Sequence, residues 1–223
     1  MGEVTAKEAL PFRFFTRLHL SELTGLKASD LEELAVLVKT VPGACIYYHT
    51  HRFLQQHQYL SPEPPNDFAH WVSEMLGERQ LGEKLASIDT VQYTTIRSLR
   101  DKISEMIDRY ISANQKSKRR SVHEGDEFHF IKAVSFVLPT SYVAHDLEEF
   151  VSVLEKITID SIYFHIFESR LRLEKGNNDF SQWIDASFGD KETARSISKL
   201  DPYTYTMENL RKKMIAIIKR KTK

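Results

Sequence analysis

The stretch Asn66-Asp67-Phe68-Ala69-His70-Trp71, preceded in the chain by Ile46-Tyr47-Tyr48-His49, organises this sequence. Both motifs recur near the C-terminus, as Asn178-Asp179-Phe180-Ser181-Gln182-Trp183 and Ile162-Tyr163-Phe164-His165. In each case a Gly followed by an acidic residue comes soon after the Trp. Two copies of one unit explain this recurrence better than chance, so we expect an internal duplication.

The spacing of the two motifs supports the same interpretation. The openings Phe12-Arg13-Phe14 and Phe128-His129-Phe130 stand 116 positions apart, and so do His49 and His165. The separation falls to 112 only after the Pro-rich stretch 60–65 of the first copy. Loops of this composition absorb insertions at little cost in stability, so the change falls where an insertion is tolerated.

Helical periodicity dominates the rest of each predicted copy. Ser29 with Glu32 predicts a capping box, and apolar residues then recur at helical spacing until Pro42-Gly43. The two Phe-x-Phe openings are too short to separate strand from helix, and we favour helix. We therefore predict a mainly α fold, an internal duplication of a helical module whose two copies pack with pseudo-twofold symmetry. The predicted modules are residues 1–112 and 128–223, joined by a polar linker at 113–127.

The composition is that of an ordinary soluble globular protein. Lys and Arg total 31, Asp and Glu also total 31, and 41% of the residues are hydrophobic. Zero net charge provides no general attraction for nucleic acid or an anionic membrane. A single cysteine, Cys45, excludes an internal disulfide, and no apolar run is long enough to cross a membrane. The sequence lacks a signal peptide pattern, so we expect a cytoplasmic protein.

Five sequence boxes, taken together, resemble an uncharacterised prokaryotic family, the domain of unknown function 5752. The resemblance spans nearly the whole chain and implies a helical protein without assigned chemistry or catalytic residues. The boxes are IYYHTHRF (46–53), SPEPPNDFAHW (61–71), SIYFHIFESRLRLE (161–174), NDFSQW (178–183) and LDPYTYTMENLR (200–211).

Histidines clustered in the first copy are the strongest candidates for chemistry. A regular helix cannot bring its histidines onto one ion, but an irregular backbone between Tyr48 and Arg52 would let them converge. A nitrogen and oxygen site for zinc or a related transition metal would then form. The metal candidates are His49, His51, His57, Glu63 and His70. Only His49 is matched in the second copy, so we favour histidines that are hydrogen-bonded to neighbours over metal ligands.

The repeated Asn-Asp pairs provide a second candidate site. Asp67 and Asp179 could act as an acid or base or bind a substrate hydroxyl, although helix capping is the favoured interpretation. With the repeated histidines they form a candidate polar site of His49, His51, Asp67, His165 and Asp179. The repeated aromatic residues suit either a sugar-binding stack or, as we favour, the core; they are Trp71, Trp183, Tyr47, Tyr163, Tyr93 and Tyr205.

Three functional hypotheses follow. The leading one is a non-enzymatic interaction or regulatory module with a protein partner, able to form a homodimer. The second is a metal- or carbohydrate-dependent enzyme or sensor that uses the histidine cluster. The third is weak nucleic-acid binding through the cations of the linker and of the tail, where Arg211 to Lys213 and Lys219 to Lys223 are rich in Lys and Arg.

Overall fold

A computed structural model of the chain describes residues 10–52, 66–117, 120–173, 177–201 and 205–220. Its strands are β1 (Phe12–Ala28) and β2 (Phe128–Ala144). Between them lie α1 (Leu31–Thr40), α2 (Gly43–Tyr47), the π-helical turn π1 (Tyr48–Arg52), α3 (Asp67–Glu74), α4 (Arg79–Ala86), a 3₁₀ turn (Thr90–Gln92) and α5 (Ile96–Ala113). After β2 follow α6 (Leu147–Leu154), α7 (Ile159–Tyr163), the π-helical turn π2 (Phe164–Glu168), α8 (Ser169–Leu173), α9 (Asp179–Phe188), α10 (Lys191–Ser198) and α11 (Met207–Lys219).

The predicted fold class, mainly α with a duplicated helical module packed about a pseudo-twofold axis, is wrong. The structure is α+β, because the 17-residue strands β1 and β2 pair in an antiparallel two-stranded sheet. Helix was predicted at Phe12 and Phe128, yet both residues open strands. The period-2 pattern is hidden because only the first residues of each strand alternate between buried and exposed, and the middle is exposed on both faces.

The chain forms two compact units. The central unit comprises His19–Ser135, and the C-terminal unit comprises Met1–Leu18 with Phe136–Lys223. Each strand therefore contributes residues to both units, β1 by its first part to the C-terminal unit and β2 by its first part to the central unit. The division into modules 1–112 and 128–223 describes the repeated sequence and stays a prediction.

The central unit buries one apolar core beneath its half of the sheet. Helices α3 and α4 pack together, and α5 packs on α1 and α2. Phe128 and Phe130 enter this core from β2. Its remaining large members are Leu31, Leu34, Val38, Ile46, Phe68, Trp71, Val72, Leu81, Leu85, Leu99, Ile103 and Ile107.

The C-terminal unit is built in a similar way. Helix α9 packs on α10, and α11 packs on α6, α7 and α10. Phe12 and Phe14 enter its core from β1, where their rings lie 5.5 and 5.3 Å from the ring of Phe150. Other buried apolar residues of this unit are Leu154, Ile162, Tyr163, Phe180, Trp183, Ile184, Ile197, Leu210, Met214 and Ile218.

The register of the sheet is set by side-chain contacts between the strands. In the central unit, the Lys132 ammonium lies 2.9 Å from the Glu22 carboxylate. In the C-terminal unit, the Thr140 hydroxyl donates to the Phe14 carbonyl at 2.8 Å. The residue numbers of each pair add to 154, so even-numbered residues of the two strands share one face of the sheet.

The helix caps agree with the predicted positions to within one residue. Helix α1 begins after Asp30, whose carboxylate accepts from the N–H of Glu33, and Glu33 in turn accepts from the N–H of Ser29. The predicted capping box of Ser29 with Glu32 is thus displaced by one residue. The same arrangement precedes α6, where the backbone N–H of His145 lowers the pKa of Glu149. These carboxylates lie in first turns, where they stabilise the positive end of a helix.

The pairs Leu99-Arg100 and Leu210-Arg211 recur in the sequence, and their arginines bind backbone carbonyls. Arg100 donates to the Val41 carbonyl at 2.6 Å, and Arg211 donates to the carbonyls of Leu154 and Ile157 at 2.6 and 2.8 Å. Carbonyls at helix C-termini have no partner within the helix, and a guanidinium satisfies them. Within the described ranges, every helix falls short of the length or the apolarity that a membrane crossing requires.

The pH dependence of the free energy of unfolding tests the ion pair of Lys27 and Glu127 at the end of the sheet. Lys27 donates to Glu127 at 2.7 Å and, with the N–H of Gly125, lowers the pKa of Glu127 from 4.5 to about 2. Because the folded-state pKa is depressed, this interaction stabilises the fold above pH ~4.5 and is lost as the pH falls towards about 2. We expect Glu127→Gln to lower the free energy of unfolding at neutral pH, and the difference from wild type to vanish near pH 2.

Urea titrations of both proteins between about pH 2 and pH 7 measure this difference. Asp108→Asn is a matched control, because Asp108 forms an ion pair with Lys39 in which both side chains are half exposed. A constant difference between wild type and Glu127→Gln over the whole pH range would contradict the prediction.

Candidate functional site

His49 and Asp67 come together in the central unit. The Nδ1 atom of His49 lies 2.8 Å from the Oδ2 atom of Asp67, the first residue of α3. The Nε2 atom of His49 accepts a hydrogen bond from the backbone N–H of Ile131 in β2, at 3.0 Å. The imidazole is buried and lies against the rings of Phe68 and Phe128. It therefore links a helix to a strand within an aromatic shell.

His165 and Asp179 form the corresponding pair in the C-terminal unit. Nδ1 of His165 lies 2.7 Å from Oδ2 of Asp179, the first residue of α9. Nε2 accepts from the backbone N–H of Phe15 in β1, at 2.8 Å. The Phe180 ring stacks on the imidazole at 5.2 Å. The predicted polar residues His49, Asp67, His165 and Asp179 thus meet as two pairs, one in each unit.

The backbone donor decides the protonation of these rings. An amide N–H can only donate, so Nε2 must carry a lone pair, and the proton of a neutral imidazole is then on Nδ1. Nδ1–H donates to the carboxylate, as the histidine of a catalytic triad does to its aspartate. In a triad, however, Nε2 faces the nucleophile. Here it faces a strand amide, so neither histidine presents a base to a substrate in this arrangement.

In the C-terminal unit, Ser161 also binds the backbone of β1. Ser161, one helical turn before His165, donates its hydroxyl to the carbonyl of Phe15 at 2.7 Å. Both backbone polar groups of Phe15 on the outer edge of β1 are thereby satisfied by side chains of the same helix. Cys45 stands one turn before His49, where burial raises the pKa of its thiol. A thiol is a weaker donor than a hydroxyl, so Cys45 is less suited than Ser161 to bind a strand carbonyl.

Both histidines lie in π-helical turns. Such turns are rare and often occur at functional sites, because the wider turn releases a carbonyl and redirects a side chain. Thr50 donates to the Ile46 carbonyl at 2.6 Å, and Ser169 donates to the His165 carbonyl at 2.7 Å. The irregular backbone that was one alternative for Tyr48 to Arg52 is therefore present, and hydroxyl groups bind one carbonyl in or beside each turn, those of Ile46 and His165.

His51 belongs to an aromatic stack and does not join the His49–Asp67 pair. Its ring stacks on Tyr47 at 5.4 Å, and Tyr47 stacks on His19, also at 5.4 Å. The Thr50 hydroxyl donates its one proton to Ile46, so it accepts from Nδ1–H of His51 at 2.9 Å. His19, which lies in β1 and contacts Ser135 at 2.8 Å, was missed by the sequence analysis because no motif marks it.

The predicted metal set is only partly described. His57 and Glu63 lie outside the described residues, and His70 is exposed on α3. Both ring nitrogens of His49 are engaged by Asp67 and Ile131. Among the residues that the structure describes, no group of three His, Cys, Asp or Glu side chains is arranged to hold a metal ion. A zinc site formed by the five predicted ligands stays a prediction.

The repeated tryptophans are core residues with an anchored N–H. Trp71 donates from Nε1 to the Asp126 carbonyl at 2.7 Å, and Trp183 donates to the Leu10 carbonyl at 2.7 Å. Both indoles are more than nine-tenths buried. Each tryptophan fixes the segment that precedes a strand, and neither presents a free face for stacking on a sugar.

The cations of the tail are largely engaged within the unit. Lys219 pairs with Glu155 at 3.0 Å, Arg211 binds helix-end carbonyls, and Lys213 contacts Tyr205. Lys221 and Lys223 lie outside the described residues, as do Lys118 and Arg119 of the predicted linker. These contacts reduce the positive surface that is available to nucleic acid.

One buried ion pair was not predicted. Arg17 of β1 lies 2.7 Å from Glu168, whose side chain is 1% exposed at the end of π2. Buried charges persist only when they are paired, and removal of one partner is strongly destabilising. Arg17 belongs to a stretch that we expected to be helical, so its approach to Glu168 was not visible in the sequence.

Replacement of His165 tests whether the pair supports the fold. His165→Phe keeps a ring of similar size but removes the hydrogen bonds that the imidazole forms with the Phe15 amide and the Asp179 carboxylate. We expect a loss of about 2 to 4 kcal/mol in the free energy of unfolding, measured by urea titration. A cycle with Asp179→Ala should show a coupling of about 1 to 2 kcal/mol.

The control is His70→Phe, at an exposed position of α3. It should change the free energy of unfolding by no more than about 0.5 kcal/mol. Equal effects of His165→Phe and His70→Phe would show that the buried pair does not support the fold.

This architecture is similar to that of a solved structure, and the sequence matches a family model. The solved structure described as "The structure of OrfY from Thermoproteus tenax" is similar to the chain with a TM-score of 0.80 and 26% sequence identity, over 96% of each chain. A search of curated proteins gave no match. The model of the family of unknown function DUF5752 matches residues 9–219. Because that match covers most of the sequence, the chain belongs to the DUF5752 family.

Proposed function

We propose that this protein is a non-enzymatic cytoplasmic interaction module that self-associates through the exposed part of the sheet face that carries Phe136. The observation that carries the proposal is a run of exposed apolar residues on β2. Phe136 and Leu138, on one face, are 48% and 46% exposed, and Val137, on the opposite face, is 49% exposed. Consecutive exposed apolar residues cost solubility and are kept where they serve binding.

The face that carries Phe136 is apolar and uncharged in the C-terminal unit. By the register, Leu18 of β1 lies opposite Phe136 on this face, and Leu18 is 51% exposed. Thr16, Leu138, Thr140 and Tyr142 also lie on the accessible part of this face, whereas its other even-numbered residues, Phe12, Phe14 and Ala144, are buried against the core. An uncharged face can meet a copy of itself without opposing like charges, which suits a twofold dimer.

Global electrostatics also favour a second copy as the partner. The chain carries 31 basic and 31 acidic residues, so two copies experience no net repulsion at neutral pH. A highly charged partner would gain nothing from this neutral face. Apolar sheets stack about 10 Å apart, which would remove the half-exposed side chains from water.

The outer edge of β2 is less suited to association than its face. In β1 the polar groups of the odd-numbered Phe15 point outward, to Ser161 and His165. In β2 the odd-numbered Ile131 likewise points its N–H outward, to His49. Pro139 shares this parity and has no N–H, so it interrupts the donors that a pairing strand would need. Side-chain contact across the face is therefore the proposed mode.

The geometry of the His–Asp pairs supports the non-enzymatic part of the proposal. Nε2 of both histidines is engaged by a strand amide and their Nδ1 atoms by carboxylates. In the described residues, no contact favours the metal, carbohydrate or nucleic-acid alternatives over these structural roles.

Sedimentation equilibrium over a wide concentration range tests the proposal. Wild type should show a monomer–dimer equilibrium, and Phe136→Glu should weaken dimerisation at least about tenfold, because a buried unpaired carboxylate opposes association. Val36→Glu is the matched control, since Val36 is 59% exposed and belongs to helix α1 and not to the sheet. It should dimerise as wild type does.

Two results would contradict the proposal. One is a wild-type protein that stays monomeric at every concentration. The other is equal weakening of dimerisation by Phe136→Glu and Val36→Glu, which would locate the contact elsewhere.

A further inference from the structure

A polar cleft of about 410 Å³ lies between α9 and α10 of the C-terminal unit. Its size is within the range of small-molecule sites. The side chains that define its chemistry are Gln182 and Asp185 on α9 and Lys191 and Arg195 on α10. Asn177, Ser181, Ala186, Ala194 and Ser198 complete the lining.

The matching helices of the central unit show why this cleft is open. Gly82 is the fourth residue of α4, and a Cβ atom there would lie only 1.8 Å from the hydroxyl of Ser73 on α3. The helices α3 and α4 thus approach so closely that only glycine fits. Ala194 is the fourth residue of α10 and lines the cleft. With alanine at this position, the cleft between α9 and α10 has room for a ligand.

The charges of the cleft also differ from those of the matching helix. Lys191 and Arg195 are the first and fifth residues of α10, so they share one face of the helix. The first and fifth residues of α4 are Arg79 and Glu83, which balance each other. Two like charges at this spacing repel, and an anion between them would remove the repulsion.

The charged groups of the cleft have no partner within the part of the chain that the structure describes. The side chains of Asp185, Lys191 and Arg195 form no ion pair or hydrogen bond with other described residues. Cations without internal partners are available to a ligand. Arg195 offers a planar fork of donors that matches a phosphoryl group, and Lys191 adds a point charge.

We propose that this cleft binds a small phosphate monoester, with the phosphoryl oxygens on Lys191 and Arg195. Asp185 lines the same cleft and accepts hydrogen bonds only. It therefore suits a hydroxyl on the organic part of the ligand and repels a second anionic group. The ligand class is a phosphate monoester that carries at least one hydroxyl group.

Titration of the isotope-labelled full chain, followed by amide chemical shifts, tests the site. The probes are glycerol 3-phosphate, inorganic phosphate and glycerol. Both phosphate probes should give saturable shifts confined to α9 and α10, and glycerol should give none. The variant Lys191→Ala/Arg195→Ala should weaken glycerol 3-phosphate at least about tenfold.

Arg79→Ala is the matched control, because Arg79 is exposed at the first position of α4. It should bind glycerol 3-phosphate as wild type does. Asp185→Asn should bind inorganic phosphate more tightly than wild type, since it removes the opposing carboxylate. All four side chains are exposed, so the variants keep the fold, which the amide spectrum itself verifies.

Four results would overturn the proposal. They are shifts that do not saturate, equal binding of glycerol and glycerol 3-phosphate, equal loss in Arg79→Ala and in the double variant, and weaker binding of inorganic phosphate by Asp185→Asn. The dimerisation experiment concerns the sheet, so either proposal can fail without the other.

Discussion

A buried imidazole that joins a strand amide to a helix carboxylate is the interaction on which each unit depends. In the C-terminal unit, His165 accepts from Phe15 and donates to Asp179. An unpaired backbone N–H beside the core would cost about 1 to 3 kcal/mol, and an unpaired carboxylate would add to that cost. One side chain satisfies both groups. It also determines which segment of strand lies on the core.

The sheet needs this support because it has only two strands. An isolated two-stranded sheet is marginally stable in water, and its outer edges expose unpaired backbone groups. The helices of each unit satisfy one part of an edge with side chains and cover the adjacent face with aromatic residues. In the C-terminal unit, His165 and Ser161 bind the backbone of Phe15, while the neighbouring Phe12 and Phe14 pack in the core.

Comparison of matching positions in the two units distinguishes residues that support the fold from residues that could bind a ligand. His49 and His165 each bind one aspartate and one strand amide, so we assign both a role in stabilising the fold. Gly82 closes one helix pair, whereas Ala194, Lys191 and Arg195 leave a charged cleft in the other. Residues that recur in the sequence therefore hold the framework together. The positions that differ are where a ligand site can form without loss of that framework.

Local sequence signals were enough to predict several helices and their caps. Periodicity and capping signals are local, so the start of α5 at Thr95 and the role of Asn66 and Asn178 as caps were predictable. Met75 lies four residues after Trp71, a helical spacing that predicts a buried position, yet it is 47% exposed because it follows the last residue of α3.

The folded structure was needed to show that Phe12 and Phe128 begin strands. It also shows that His49 and His165 accept hydrogen bonds from strand amides. Strand pairing depends on a partner more than 100 residues away, and the exposed centre of each strand leaves no alternation to read. The donor to Nε2 is a backbone amide, which every residue other than proline possesses and no motif can mark. Sequence motifs mark His165 and Asp179 as candidate site residues. They do not show that the backbone N–H of Phe15 binds the other ring nitrogen of His165, which only the folded structure reveals.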